Sequence, residues 1–260
     1  MGPHPFLDHP LPIAIAHRGG AEEHPENTIA AFAAAIDLGF THIETDARIT
    51  ADGVVVAFHD DTLGRVSDTT GSLADLDWAT VRSARIAGEH RVPTITELLE
   101  RFPDTFINID PKSDAVVEPL SQEIERAGAV HRVCIGSFSD RRIATLRSKL
   151  GPALCTSLGP RAVTALRAAS YGMPVGRIVG ECVQVPPSMR GITLVDRRFV
   201  GEAHERGMQV HVWTIDAELE MHRLLDLGVD GIMTDRPHAL REVLRARGSW
   251  PGDATTGHSG

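Results

Sequence analysis

The sequence predicts a closed (β/α)8 barrel, the TIM-barrel architecture, with a short insertion after the second strand. Three observations predict it. Eight short runs rich in Ile and Val are each followed by a helix-like segment, and continuous apolar strands separated by helices indicate a parallel sheet covered on its outer side. The chain has 260 residues, a length at which such barrels are common. No GxGxxG or GxxxxGK[ST] run occurs, which removes the obvious open-sheet nucleotide folds. An internal echo agrees, since LGFTHIETD (38–46) and LGVDGIMTD (227–235) share Leu, Gly, Ile, Thr and Asp in register, as repeated units would.

Residues 1–12 read as a Pro-rich lead-in and 13–247 as the barrel, with 248–260 a flexible tail. IAIA (13–16) is a short buried strand ending at His17-Arg18-Gly19-Gly20. The helix that follows has apolar residues at 29, 32, 33 and 36, Asn27 or Thr28 as its N-cap, and Gly39 past its end. IETDARI (43–49) is the second strand, and Ala51-Asp52-Gly53 turns it back into VVVAF, which ends at His59-Asp60. Residues 60 to about 93 are irregular, with a short helix within LADLDWATVRSA, and read as an excursion on the active face rather than a domain.

From there alternation is regular. Strands are expected at FINID (106–110), RVCIGSF (132–138), ALCTSLG (153–159), ECVQVP (181–186), MQVHVWTID (208–216) and VDGIMTD (229–235). Helices are expected at 94–102 before the first of these and then after each, at 115–128, 139–151, 161–172, 196–207, 218–228 and 237–247. Ser139 or Asp140 caps one of them, and Pro237 sits in the first turn of the last.

Composition narrows the function. A formal charge of −9 argues against nonspecific binding of nucleic acid or anionic lipid. An anionic substrate therefore needs local positive charge. Three cysteines, widely spaced and without a CxxC pair, read as reduced, buried thiols of a cytoplasmic protein. No secretory signal and no membrane-length apolar run is expected.

In such a barrel the chemistry lies at the C-terminal ends of the strands. Those ends carry His17-Arg18, Glu44-Asp46, Asp110-Lys112, Ser137, Gln184, Trp213 and Asp235. Glu44 and Asp46, one residue apart on a strand, point to the same side. With Asp110 they form an all-oxygen set suited to one divalent ion, Mg2+ or Ca2+, because three inward acids without a cation are costly. The structural alternative is ion pairing with Arg18 and Lys112. His17 and His59 beside these acids make an acid–base pair. Arg18 and Lys112 are the cations available to a phosphate. Trp213 either walls in a small polyol or caps the barrel core.

The combination AHRGG, HPENT, IETDARIT, FHD, VPTITELLE, NIDPK, VWTID and GVDGIMTDRP closely resembles the glycerophosphodiester phosphodiesterase family, from Ile13 to about Arg245. The resemblance implies a (β/α)8 barrel that uses one divalent metal to hydrolyse glycerophosphodiesters to glycerol 3-phosphate and an alcohol. It implies acid–base roles for His17 and His59, metal ligation by Glu44, Asp46 and a third acid, phosphate contacts from Arg18 and Lys112, and Trp213 on the glycerol side. Two departures stand out: Asp110 occupies a position where the family usually has Glu, and Asp216 one where it commonly has Asn. The partner implied is a small-molecule glycerophosphodiester. The alternatives are a lysophospholipase D-type activity on larger lipids, which calls for an apolar patch that the short insertion offers little of, and a phosphosugar isomerase or lyase. The latter requires a glycine phosphate loop after the seventh and eighth strands, which 214–216 and 234–237 do not supply.

Overall fold

The computed structural model describes residues 4–189 and 191–251. The barrel strands are β1 (Ile13–Ala16), β2 (His42–Ile49), β6 (Phe106–Pro111), β7 (Val133–Ile135), β8 (Cys155–Thr156), β9 (Cys182–Val185), β12 (Gln209–Val212) and β13 (Gly231–Thr234). All pair in parallel in the order β8-β7-β6-β2-β1-β13-β12-β9. The two ends of that order meet only through a single parallel bridge, Ser157 to Cys182. The result is a nearly closed barrel, as the alternation of strands and helices implies.

Helices α1 (Ile29–Asp37), α3 (Ile95–Arg101), α4 (Val117–Arg126), α5 (Asp140–Leu150), α6 (Pro160–Ala169), α7 (Arg197–Glu205), α8 (Glu218–Leu227) and α9 (Pro237–Ala246) cover the sheet. Their caps follow the sequence. Thr28, Thr94, Ser139 and Asp196 each accept a backbone N–H of the first turn, and Pro160 and Pro237 occupy positions where no donor is needed. Of the two candidate caps on α1 the chain uses Thr28. Asn27, at φ 55°, turns inward instead. The strands β8 and β12 are shorter than their apolar runs, and Ser157, Leu158, Trp213 and Thr214 just beyond them line the cavity at the mouth of the barrel.

The turn at Asp52-Gly53 returns the chain as β3 (Val55–Ala57), antiparallel to β2. The excursion beyond it holds α2 (Trp78–Ser83) and a hairpin of β4 (Arg85–Ile86) and β5 (His90–Arg91), around its own core of Val56, Phe58, Leu63, Leu73, Val81 and Ile86. A second hairpin, β10 (Ser188–Met189) with β11 (Ile192–Thr193), rises after β9.

Both ends of the chain do more than lead in and trail off. Pro5–Leu7 form one helical turn that drives Phe6 into the base of the barrel, edge-on to His42 at 4.9 Å and Phe106 at 5.9 Å. Burying a Phe side chain contributes about 1.5–3 kcal/mol, so the lead-in is a plug. At the other end Trp250 is buried 5.4 Å from Phe40 and lies 3.1 Å from where a Cβ on Gly39 would stand. The tail expected from residue 248 is therefore anchored through Trp250, and 252–260 lie outside the described residues.

Candidate active site

The backbone register alone brings three carboxylates to one inner face. Glu44 and Asp46 alternate inward on β2, and Asp110 on β6 is the direct cross-strand partner of Asp46. His17 and Arg18 follow β1 in a tight turn where Arg18 adopts φ 50°, a costly conformation for a side-chain-bearing residue. That turn aims the Arg18 amide at Glu44 Oε2, 3.1 Å away, and leaves its guanidinium Nε 3.2 Å from Asp46 Oδ2 as an ion pair without an aligned hydrogen bond. His59 and Lys112 complete the group. All seven line one cavity of about 390 Å3 at the C-terminal ends of the strands, and Trp213 lines it from the far side. His17, Arg18, Glu44, Asp46, His59, Asp110, Lys112 and Trp213 thus face a single space, with Ser137 and Gln184 beside them.

The two imidazoles are held alike. His17 Nδ1 lies 2.7 Å from Asp235 Oδ1, and His59 Nδ1 lies 2.7 Å from Asp60 Oδ1. A neutral imidazole that donates from Nδ1 keeps Nε2 for a substrate proton. Burial pulls the His17 pKa down, but Glu44 and Asp235 outweigh it and the net shift is upward. Asp60 is held down to about 2, burial being outweighed by Arg65 and His59.

The carboxylates divide by partner. Burial and the neighbouring Asp46 push Glu44 up to about 7, despite His17, Lys112 and Arg18. Asp46 moves the other way, since Lys112 and Arg18 outweigh its burial. Burial raises Asp110. Lys112 Nζ sits 2.7 Å from both Asp46 Oδ1 and Asp110 Oδ2. Among the described residues, the one set of three ligand-type side chains whose donor atoms lie within 4.8 Å of one another is Cys134, Cys155 and Cys182 in the barrel interior. Lys112 thus bridges Asp46 and Asp110, and a cation held by all three acids would compete with its ammonium. Hard oxygen donors on one face, with a buried Glu44 short of positive charge, nonetheless fit a divalent cation.

Several functional contacts were not assigned from the sequence. Asn27 donates to Asp46 Oδ2 at 3.1 Å and accepts from Thr45 Oγ1 at 2.8 Å, which fixes that carboxylate. Glu26 links Arg18, at 3.2 Å, to Arg65 of the excursion, whose other side holds Asp60. Asp216 points away from the cavity, accepting from Thr234 Oγ1 at 2.9 Å and the Asp235 amide at 2.7 Å. The negative charge that departs from the family pattern thus supports the loop carrying Asp235. The apolar surface that the insertion was not expected to supply comes from the opposite wall. Phe138, Leu158, Val163, Pro186, Met189 and Trp213 line it, with Phe138 edge-on to Trp213 at 5.7 Å.

Comparisons with known proteins agree with this geometry. Residues 17–239 match the glycerophosphoryl diester phosphodiesterase family. The chain is 41% identical over 254 residues, 95% of its length and 96% of the relative's, to a probable glycerophosphodiester phosphodiesterase 2 of Mycobacterium tuberculosis. Its fold is similar to that of a glycerophosphoryl diester phosphodiesterase of Silicibacter pomeroyi (TM-score 0.79, 23% identity, covering 95% and 98% of the two chains). It is also similar to a phosphodiesterase of Oleispira antarctica solved with the product sn-glycerol-3-phosphate (TM-score 0.75, 23% identity, 90% and 97%). With HRG, ExD and FHD converging on one cavity and PENT bracing it through Asn27 and Glu26, the chain belongs to the glycerophosphoryl diester phosphodiesterase family.

Proposed function

We propose that the protein hydrolyses glycerophosphodiesters to sn-glycerol 3-phosphate and an alcohol by acid–base catalysis from His17 and His59. The observation that carries this reading is the paired arrangement of the imidazoles. Each is oriented through Nδ1 by its own carboxylate, and both line the cavity that holds Arg18 and Lys112. One imidazole takes the proton of the nucleophile at Nε2, and the other gives a proton to the departing alkoxide oxygen. Arg18 and Lys112 attract the phosphate, Arg18 through a planar fork and Lys112 as a point charge. Glu44, Asp46 and Asp110 would hold one Mg2+ or Ca2+, with Asn27 fixing the angle of Asp46. A cation bound there supplies polarisation of the phosphoryl oxygens and neutralises charge developing on them. Free, buried cysteines support a reducing, cytoplasmic setting, and among the described residues no helix is long and apolar enough to cross a membrane.

The test is a panel of glycerophosphodiesters assayed for glycerol 3-phosphate, with chelator and then metal add-back. Glycerol 3-phosphate release that chelator stops and metal restores is expected; release unaffected by chelator removes the metal from the reading. A second reading, cleavage of lysophospholipids with a larger apolar leaving group, is favoured by the Phe138–Met189–Trp213 wall. It predicts that turnover rises with the apolar length of the substrate.

A further inference from the structure

The mouth of the barrel is divided by charge and polarity. On the side that carries His59, residues 60–77 contain five aspartates and one arginine. On the opposite side the described residues of the strand-to-helix segments 136–142, 157–163 and 186–198 contain five arginines and two aspartates. Arg161 and Arg197 are exposed and make no ion pair among the described residues. A net charge of −9 for the whole chain hides this local reversal of sign.

The same side exposes large apolar side chains that no described residue covers. Phe138 after β7 is 70% exposed, Met189 and Ile192 on the β10–β11 hairpin are 50% and 70% exposed, and Leu219 in the first turn of α8 is 86% exposed. All four follow barrel strands, and the segments that follow strands lie on the C-terminal face. Phe138 and Met189 also line the catalytic cavity, so the apolar wall of the cleft reaches the outer surface at these two side chains. Scattered apolar residues need no explanation, but a cluster flanked by unpaired arginines at an active-site mouth does.

The geometry points to a peripheral docking surface for lipid aggregates bearing anionic headgroups, made by Phe138, Met189, Ile192 and Leu219 with Arg161 and Arg197 beside them. The apolar side chains enter the acyl boundary and the guanidiniums meet headgroup phosphates. A glycerophosphodiester anchored by an acyl chain would then pass from the bilayer along Phe138 and Met189 to the histidines. The acidic side of the mouth stays turned to water. Delivery of substrate rests on the reading of the cleft given above. Docking itself does not, and it is measured without turnover.

The experiment is sedimentation of the full chain with phosphatidylcholine vesicles, with and without phosphatidylglycerol, alongside turnover of soluble glycerophosphocholine. Wild type is expected to sediment with the anionic vesicles, more weakly at high salt. Ile192→Asp and Leu219→Asp, neither of which lines the cleft, should each weaken sedimentation roughly tenfold and leave soluble turnover unchanged. Turnover of vesicle-borne lysophospholipid should fall with sedimentation. No sedimentation of wild type, or sedimentation indifferent to both substitutions, overturns the proposal. So does a dimer in light scattering that Ile192→Asp dissolves while vesicles are ignored, since the surface would then serve a second copy of the chain. Loss of all turnover with docking intact would count against the catalytic reading alone.

Discussion

Asp235 Oδ1 lies 2.7 Å from His17 Nδ1 although the two residues are 218 positions apart in the chain. The parallel pairing of β1 with β13, which sets Ala16 beside Thr234, makes the contact possible. Asp216 then fixes it from behind through the Asp235 amide and Thr234. Asp235→Asn should therefore lower kcat by roughly 10–100-fold with little change in KM, because the imidazole loses the partner that sets its tautomer. Steady-state kinetics on glycerophosphocholine check this, and an unchanged kcat would detach Asp235 from the acid–base chemistry.

His17→Ala and His59→Ala should each remove at least about 10^2-fold of turnover, the usual share of a positioned acid or base. Circular dichroism should be unchanged, because both side chains stand at the cavity surface and not in the core. A folded variant of either kind that keeps its activity ends the acid–base assignment.

Arg65 clasps Asp60 on one side and Glu26 on the other, with 2.9 Å and 2.6 Å to the Glu26 oxygens. It thereby steadies both His59 and Arg18. Arg65→Ala should reduce kcat/KM by about tenfold, in keeping with outer partners of catalytic groups. Added guanidinium ion should restore part of the loss. Failure of guanidinium to rescue, with the fold intact, would reduce Arg65 to a surface ion pair.

At the barrel base, burial holds His42 down to about 3 from its ordinary 6.5, and burial also lowers His211. Both are satisfied as neutral rings. His42 bonds to the Phe6 carbonyl at 2.9 Å and to Thr41, while His211 bonds to Gln209 and Gln184. The unfolded chain takes up these protons below about pH 6.5 and the folded chain does not. Their contribution is thus complete above that pH and is lost as pH falls toward the folded values. Each histidine costs up to about 1.4 kcal/mol per pH unit over that window. Urea unfolding of wild type and His42→Gln between pH 7 and 5 should show the shallower pH dependence in the variant. Equal slopes would mean that His42 titrates normally in the folded protein.

The barrel, the caps of α1 and α5 and the polar residues at the ends of β1, β2 and β6 were legible in the sequence, because each depends on local chemistry. A strand's side chains alternate, a Thr or Ser caps the helix that follows, and the ends of parallel strands share one face. Glu44 and Asp46 share a side by spacing alone, and His59 follows from the Asp52-Gly53 turn. Tertiary structure alone decided who partners whom. The link from His17 to Asp235 needs closure between the first and last strands, and that from Glu26 to Arg65 needs the excursion to fold back. Lys112 lies between Asp46 and Asp110 because the β2–β6 register sets those two acids side by side. Phe6 and Trp250 read as termini because one aromatic amid Pro or Gly shows no periodicity, and only the packed barrel supplies the surfaces that bury them. The same holds for the apolar and basic side of the mouth. Its residues come from segments 138–219, and only the curvature of the closed sheet sets them on one rim.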